Sequence, residues 1–196
     1  MKVKIKNSYY IINSITLYRM IAVPFLIYLA FTHQFSIFKW LLALSFLTDA
    51  IDGYLARRYK TISAFGARID SIADDLNIVA AIIGMYVQNP AFFAKEIIPI
   101  IILLVLYLSQ NILAFIKYRK MTSFHTYVAK IAAVFQGIFL ITFFFFPQPV
   151  YWLFYLTIIL TGIDLIEEIL LILLLSDYRI NVKGLYWLIK GKRSEQ

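Results

Sequence analysis

The 196-residue chain has no cysteine, which excludes disulfides and thiolate metal sites. Acidic side chains are scarce, eleven against nineteen lysines and arginines. Internal repeats are also missing, as is any polar stretch long enough for a separate soluble domain; the phenylalanines at 143–146 are the one biased run. The opening MKVKIKNSYYIINSITLYRM lacks the small-residue cleavage site of a secretory signal, because its apolar run continues through Pro24 to His33. What fills the chain is apolar. Hydrophobic residues make up 62% of it, and the mean hydropathy is +0.78.

Six apolar windows recur, at roughly 14–33, 37–57, 67–88, 97–117, 126–146 and 150–175, each near the 20 residues that cross a ~30 Å hydrocarbon core. The expected fold is therefore an all-α integral membrane protein with six transmembrane helices, forming one domain over residues 1–196. A basic amphipathic segment at residues 1–12 is expected to lie on the membrane surface before them. Gln88-Asn89-Pro90 and Pro147-Gln148-Pro149 break the chain between windows. Fifteen cations fall on one side of this arrangement and only Lys39 and Lys95 in the opposite loops. That asymmetry predicts a multi-pass protein of the cell (inner) membrane, with both termini in the cytoplasm. Topology and anionic lipid headgroups then account for the net charge of +8 without nucleic acid. Trp40, Tyr151, Trp152, Tyr155, Tyr186 and Trp187 suit interfacial aromatic belts.

Against this background, five of the eleven acids fall between Thr48 and Asn77: Asp49, Asp52, Asp70, Asp74 and Asp75. Each aspartate at the centre of a spanning helix costs about 2.5–3.5 kcal/mol of insertion free energy, so intramembrane acids are functional candidates. Asp49 and Asp52 stand three apart near the end of the second window; Asp70 and Asp74 stand four apart near the start of the third. Each pair thus shares a helix face. The short connection at residues 58–66 predicts antiparallel neighbouring helices that bring the four carboxylates together. At about 1.5 Å per residue, Asp49 lies ~12 Å from Arg57 and Asp74 ~9 Å from Arg68, placing both pairs in the cytoplasmic half. Four such carboxylates cannot all remain charged without cations. An all-oxygen donor set favours Mg²⁺, Mn²⁺ or Ca²⁺, and a carboxylate-bridged metal pair suits phosphoryl chemistry.

The residues between the acids fit a phosphate-bearing ligand. Gly53 and Ala56 permit close approach of a ligand or of another helix, and Arg57 offers a planar fork to phosphate oxygens. Gly66 lets the backbone near a ligand or turn sharply. Together these residues spell D-x2-D-G-x2-A-R-x8-G-x3-D-x3-D, complete at Asp49, Asp52, Gly53, Ala56, Arg57, Gly66, Asp70 and Asp74. The pattern resembles the signature of the CDP-alcohol phosphotransferase (CDP-alcohol phosphatidyltransferase) family. The resemblance implies transfer of a phosphatidyl group from CDP-diacylglycerol to a small polar alcohol, with release of CMP, in a homodimer. It implies that Asp49, Asp52, Asp70 and Asp74 hold two divalent cations, Mg²⁺ or Mn²⁺, and that Asp74 is the general base. Gly53, Ala56, Arg57 and Gly66 match positions lining the CDP site.

Asn13, Thr16 and Arg19 share a face of the first window. They resemble the N-x2-T-x2-R preceding the first span of many phosphatidylglycerophosphate synthases, which makes Thr16 and Arg19 candidates for the nucleotide or its phosphates. Lys117, Arg119, Lys120 and Lys130 are candidate contacts to an anionic acceptor, although the first three read more readily as a positive-inside loop. Glycerol 3-phosphate is the leading acceptor. Asp70-Ser71 and Asp75, where glycerophosphate-using members carry Asp-Pro and lysine, leave inositol phosphate, inositol, serine and phosphatidylglycerol open. Asp164, Glu167 and Glu168 form a second acid group in the last window, and pairing of that group with Lys130 or Arg19 is expected. A cation transporter would also keep intramembrane carboxylates, but the second and third windows are apolar beyond their cytoplasmic halves.

Overall fold

The computed structural model describes residues 2–59, 64–119, 124, 126–177 and 182–194, with side chains at 17–49, 51, 72–119, 124, 126–177 and 182–190. Among the described residues the regular structure is entirely helical: α1 (Lys2–Phe31), α2 (Phe35–Tyr59), α3 (Ala64–Gln88), α4 (Pro90–Lys95), α5 (Ile97–Tyr118), α6 (Tyr127–Phe145), α7 (Tyr151–Leu174) and α8 (Leu185–Ser194). Each apolar window falls on one long helix. The surface segment expected at residues 1–12 is helical over its described residues, from Lys2 on. It continues without a break into α1, because nothing before Pro24 interrupts the backbone ladder and Pro24 itself is accommodated within the helix.

The breaks between helices are local chemistry. His33 takes a left-handed φ of 56°, so that its N–H reaches Ala30 O while Gln34 N–H reaches Leu29 O at 2.9 Å. This pairing closes the end of α1, and Gln34 O then accepts the N–H groups of Ile37 and Phe38 at the start of α2. Asn89 accepts the Phe92 N–H on its side chain at 3.0 Å, and Pro90 follows in the first helical position of α4.

Helices α5 and α6 are each long and apolar enough to cross a membrane, and residues Leu17–Phe31 of α1 form a shorter apolar stretch. Most large side chains of α5 are exposed, among them Ile101, Leu104, Val105, Leu108 and Ile112. So large an apolar surface is compatible with lipid and penalised by water. The protein is thus an all-α helical protein with at least two long apolar helices, consistent with membrane association.

The chain forms two compact units, residues 1–93 with 143–147, and residues 94–142 with 148–196. In the first, α1 packs extensively against both α2 and α3, whereas α2 and α3 touch each other sparsely. The neighbouring α2 and α3 thus share α1 as a common partner. Its buried stripe, Arg19, Ala22, Val23, Leu26, Leu29 and Ala30, follows helical spacing. Small residues on α3 (Ala73, Ala80, Ala81) are fully buried and allow close packing. At Gly84 even a Cβ would come within 2.5 Å of the Phe38 ring, which itself packs on Phe144 with centroids 4.7 Å apart.

In the second unit, α5 and α7 run in the same direction. At one end Tyr155 OH donates to the buried Glu96 carboxylate at 3.0 Å. At the other, Lys117 Nζ donates to Ile172 O at 2.7 Å and Tyr118 OH to Leu175 O at 2.8 Å. Gln136 Nε2 on α6 donates to Thr161 Oγ1 on α7 at 2.8 Å. The segment before α8 is strapped down by Val182 N–H to Phe124 O, Tyr127 N–H to Lys183 O, and Leu185 N–H to Glu167 Oε1 at 2.9 Å. Gly184, at φ 146°, makes the turn that aims the Leu185 N–H at that carboxylate.

Candidate active site

The site is assembled on α1. Arg19 falls in phase with the apolar stripe of that helix, so packing carries its side chain inward until it is only 1% exposed. A guanidinium cannot lose its charge there. It needs partners, and α2 and α3 provide them. Arg19 Nη1 donates to Asp49 Oδ1 at 2.6 Å and also to Asp74 Oδ1. Two carboxylates far apart in sequence thus meet on a single cationic atom. Asp49 and Asp74 stay 41% and 42% exposed, so the cluster has a buried floor and an open, acidic front.

Neighbouring polar side chains bond back to carbonyls of their own helices. Thr48 Oγ1 donates to the carbonyls of Leu44 and Ser45 at 2.9 Å, and buried Asn77 Nδ2 donates to Ala73 O at 2.8 Å. Asp75 is exposed, one residue step of about 100° away from Asp74. Asp52 stands on α2 three residues beyond Asp49, and Asp70 on α3 four residues before Asp74, so helix geometry gives each pair a shared face. The side chains of Thr16, Asp52, Ala56, Arg57 and Asp70 lie outside the described residues, as does Lys120 altogether; Gly53 and Gly66 are known as helix backbone only.

Among the described residues, no three acids or histidines gather as a ligand set. Asp49 and Asp74 nevertheless fit a hard divalent cation. Their oxygens converge from two helices on one positive group, with Arg19 Nη1 occupying the point of convergence.

Cations of the second unit are placed differently from one another. Lys117 is bound to the C-terminal carbonyls of α7, where the helix dipole favours a positive charge. Arg119 closes α5 in a left-handed conformation, φ 55°, with its N–H on Phe115 O. Lys130 is exposed, and its Nζ lies over the Tyr127 ring, 5.3 Å from the centroid. Of the acid group expected to pair with Lys130 or Arg19, Asp164 forms no ion pair with Lys130 among the described residues. Lys130 stands one turn into α6, while Asp164 lies about three turns short of the end of α7. Asp164 Oδ1 and Glu167 Oε2 are buried without a hydrogen-bond partner among the described residues.

The union of Arg19 with Asp49 and Asp74 was not part of the sequence expectation, which aimed Arg19 at a nucleotide or at the acids of the last window. The available signal was its register: Arg19 precedes Ala22, Val23 and Leu26 on one helical stripe. A charged residue in phase with a buried face requires a counter-charge within reach.

The model of the family described as CDP-alcohol phosphatidyltransferase matches residues 9–163, a span that contains Arg19 and all four aspartates. Among curated proteins, the chain is similar to several named CDP-diacylglycerol–glycerol-3-phosphate 3-phosphatidyltransferase. That of Haemophilus influenzae is 33% identical over 93 residues, covering 46% of this chain and 49% of the relative. That of Sodalis glossinidius is 34% identical, over 43% and 53% of the two chains. That of Wigglesworthia glossinidia brevipalpis is 39% identical, over 35% and 40%. The chain spans about half the length of the curated relatives it matches. No solved structure matches it.

Proposed function

Because the chain belongs to the CDP-alcohol phosphatidyltransferase family, we propose that it transfers the phosphatidyl group of CDP-diacylglycerol to glycerol 3-phosphate, releasing CMP. The observation that carries this reading is the convergence of Asp49 and Asp74 on one buried cationic point inside the matched region. The names of the relatives support glycerol 3-phosphate as the acceptor.

Asp74 accepts the proton of the acceptor hydroxyl as its oxygen attacks the phosphatidyl phosphorus; the bond to the bridging diphosphate oxygen breaks, and CMP departs with the electron pair. Asp49, Asp52, Asp70 and Asp74 would hold two divalent cations, Mg²⁺ or Mn²⁺, which when bound supply neutralisation of diphosphate charge. Gly53, Ala56 and Gly66 leave room for the cytidine diphosphate, and Arg57, Thr16 and Arg19 address it. Lys117, Arg119, Lys120 and Lys130 supply positive charge for an anionic acceptor. Six spans, both termini in the cytoplasm and a homodimer complete the proposal. The family match runs through both compact units, which supports one domain over the chain.

The test is purified full-length protein given CDP-diacylglycerol, Mg²⁺ or Mn²⁺, and glycerol 3-phosphate, inositol phosphate, inositol, serine or phosphatidylglycerol in turn. CMP and phosphatidylglycerophosphate are expected with glycerol 3-phosphate, and none in excess chelator. Preference for another alcohol would replace the acceptor, while absence of CMP with every acceptor would overturn the reaction.

A further inference from the structure

The geometry points to a role for Arg19 that precedes substrate: we propose that it is the built-in counter-cation of the acid cluster, competing with divalent metal for Asp49 and Asp74. This inference rests on the metal-dependent reading of the site. Arg19 is almost wholly buried, and its Nη1 bonds both carboxylates, one from α2 and one from α3. Those two helices touch each other only sparsely, while each packs extensively on α1. The guanidinium therefore ties three helices through one charge-assisted junction. Without it, the two acids would lose the buried cation on which their oxygens converge.

The same contact opposes metal binding. A cation drawn to Asp49 and Asp74 must share or displace the proton donors of Arg19, and it meets a like charge beside it. Arg19 thus lets the bundle fold before metal is bound, and it sets how readily the carboxylates are released. Once displaced, its fork can address an anionic ligand entering the same front, which reconciles this position with a phosphate-directed role.

The sign of the effect separates this role from a structural one. Loss of a residue that merely shapes the site weakens metal binding, whereas loss of a competing charge strengthens it. Mn²⁺ binding to the detergent-solubilised full chain, followed by electron paramagnetic resonance without nucleotide, reads that sign directly. Arg19→Gln is expected to tighten the Mn²⁺ Kd about tenfold, in keeping with the loss of charged hydrogen bonds. It should also lower the melting temperature of the metal-free protein, while enlarging the rise in melting temperature that saturating Mn²⁺ produces. If Arg19→Gln does not fold, Arg19→Lys carries the test: it keeps the charge but loses the fork, so roughly threefold tightening is expected. Unchanged or weaker Mn²⁺ binding by the variant, with normal binding by the wild type, overturns the counter-cation alone. A wild type that binds no Mn²⁺ overturns the metal reading along with it.

Discussion

Asp74 and Asp75 are adjacent acids with different surroundings. Asp74 faces α1 and meets Arg19, whereas Asp75 is exposed. A carboxylate that accepts a proton during attack must stand at the reacting centre, and Asp74 is the one held beside the converging charges. Asp74→Asn keeps the shape and removes the proton acceptor, so CMP release at saturating donor and metal is expected to fall by about 10²- to 10⁴-fold. Asp75→Asn should retain most of the turnover. A normal Asp74→Asn enzyme beside an inactive Asp75→Asn enzyme would reverse the assignment. That the two acids face differently was legible from helical periodicity, because a single residue step turns the side chain by about 100°. The contact with Arg19 was not, since no local pattern links residue 19 to residues 49 and 74.

At the level of helices, the first unit depends on small residues where aromatic rings approach. Gly84 of α3 sits under Phe38 of α2, whose ring is fully buried among Phe35 and Phe144. A Cβ there would stand 2.5 Å from the Phe38 ring, so the ring or the helix must move. Overpacking of this kind costs about 1–3 kcal/mol, and Gly84→Ala is expected to lower the melting temperature measured in detergent. Gly137 serves as the control: a Cβ added there would meet nothing within 4 Å, so Gly137→Ala should be tolerated. Helix positions followed from apolar runs and breakers, which act within a few residues. The short helices α4 and α8 escaped that reading, because six and ten residues are too few to register as spans. So did the packing of α1 against both α2 and α3, which depends on which faces fit.

For the whole molecule, membrane topology is the property that composition reaches furthest. Reporter fusions after residue 196 and before residue 1 are both expected to report cytoplasm, and one inserted beside Asn89 the opposite side. A split result for the two termini would remove an odd number of spans from the proposal. The sequence by itself determined the helical class, the helix windows, the bias of positive charge and the acid motif on α2 and α3. These are local or additive properties, readable from periodicity, hydropathy and spacing. Only tertiary structure decided that α1 is the common partner of both motif helices, and that Lys130 and Asp164 do not pair. It likewise decided that Arg19 is the cation on which Asp49 and Asp74 meet. The physical reason is that burying a charge creates a demand for a counter-charge without naming it; the partner is whichever acid helix packing brings within reach.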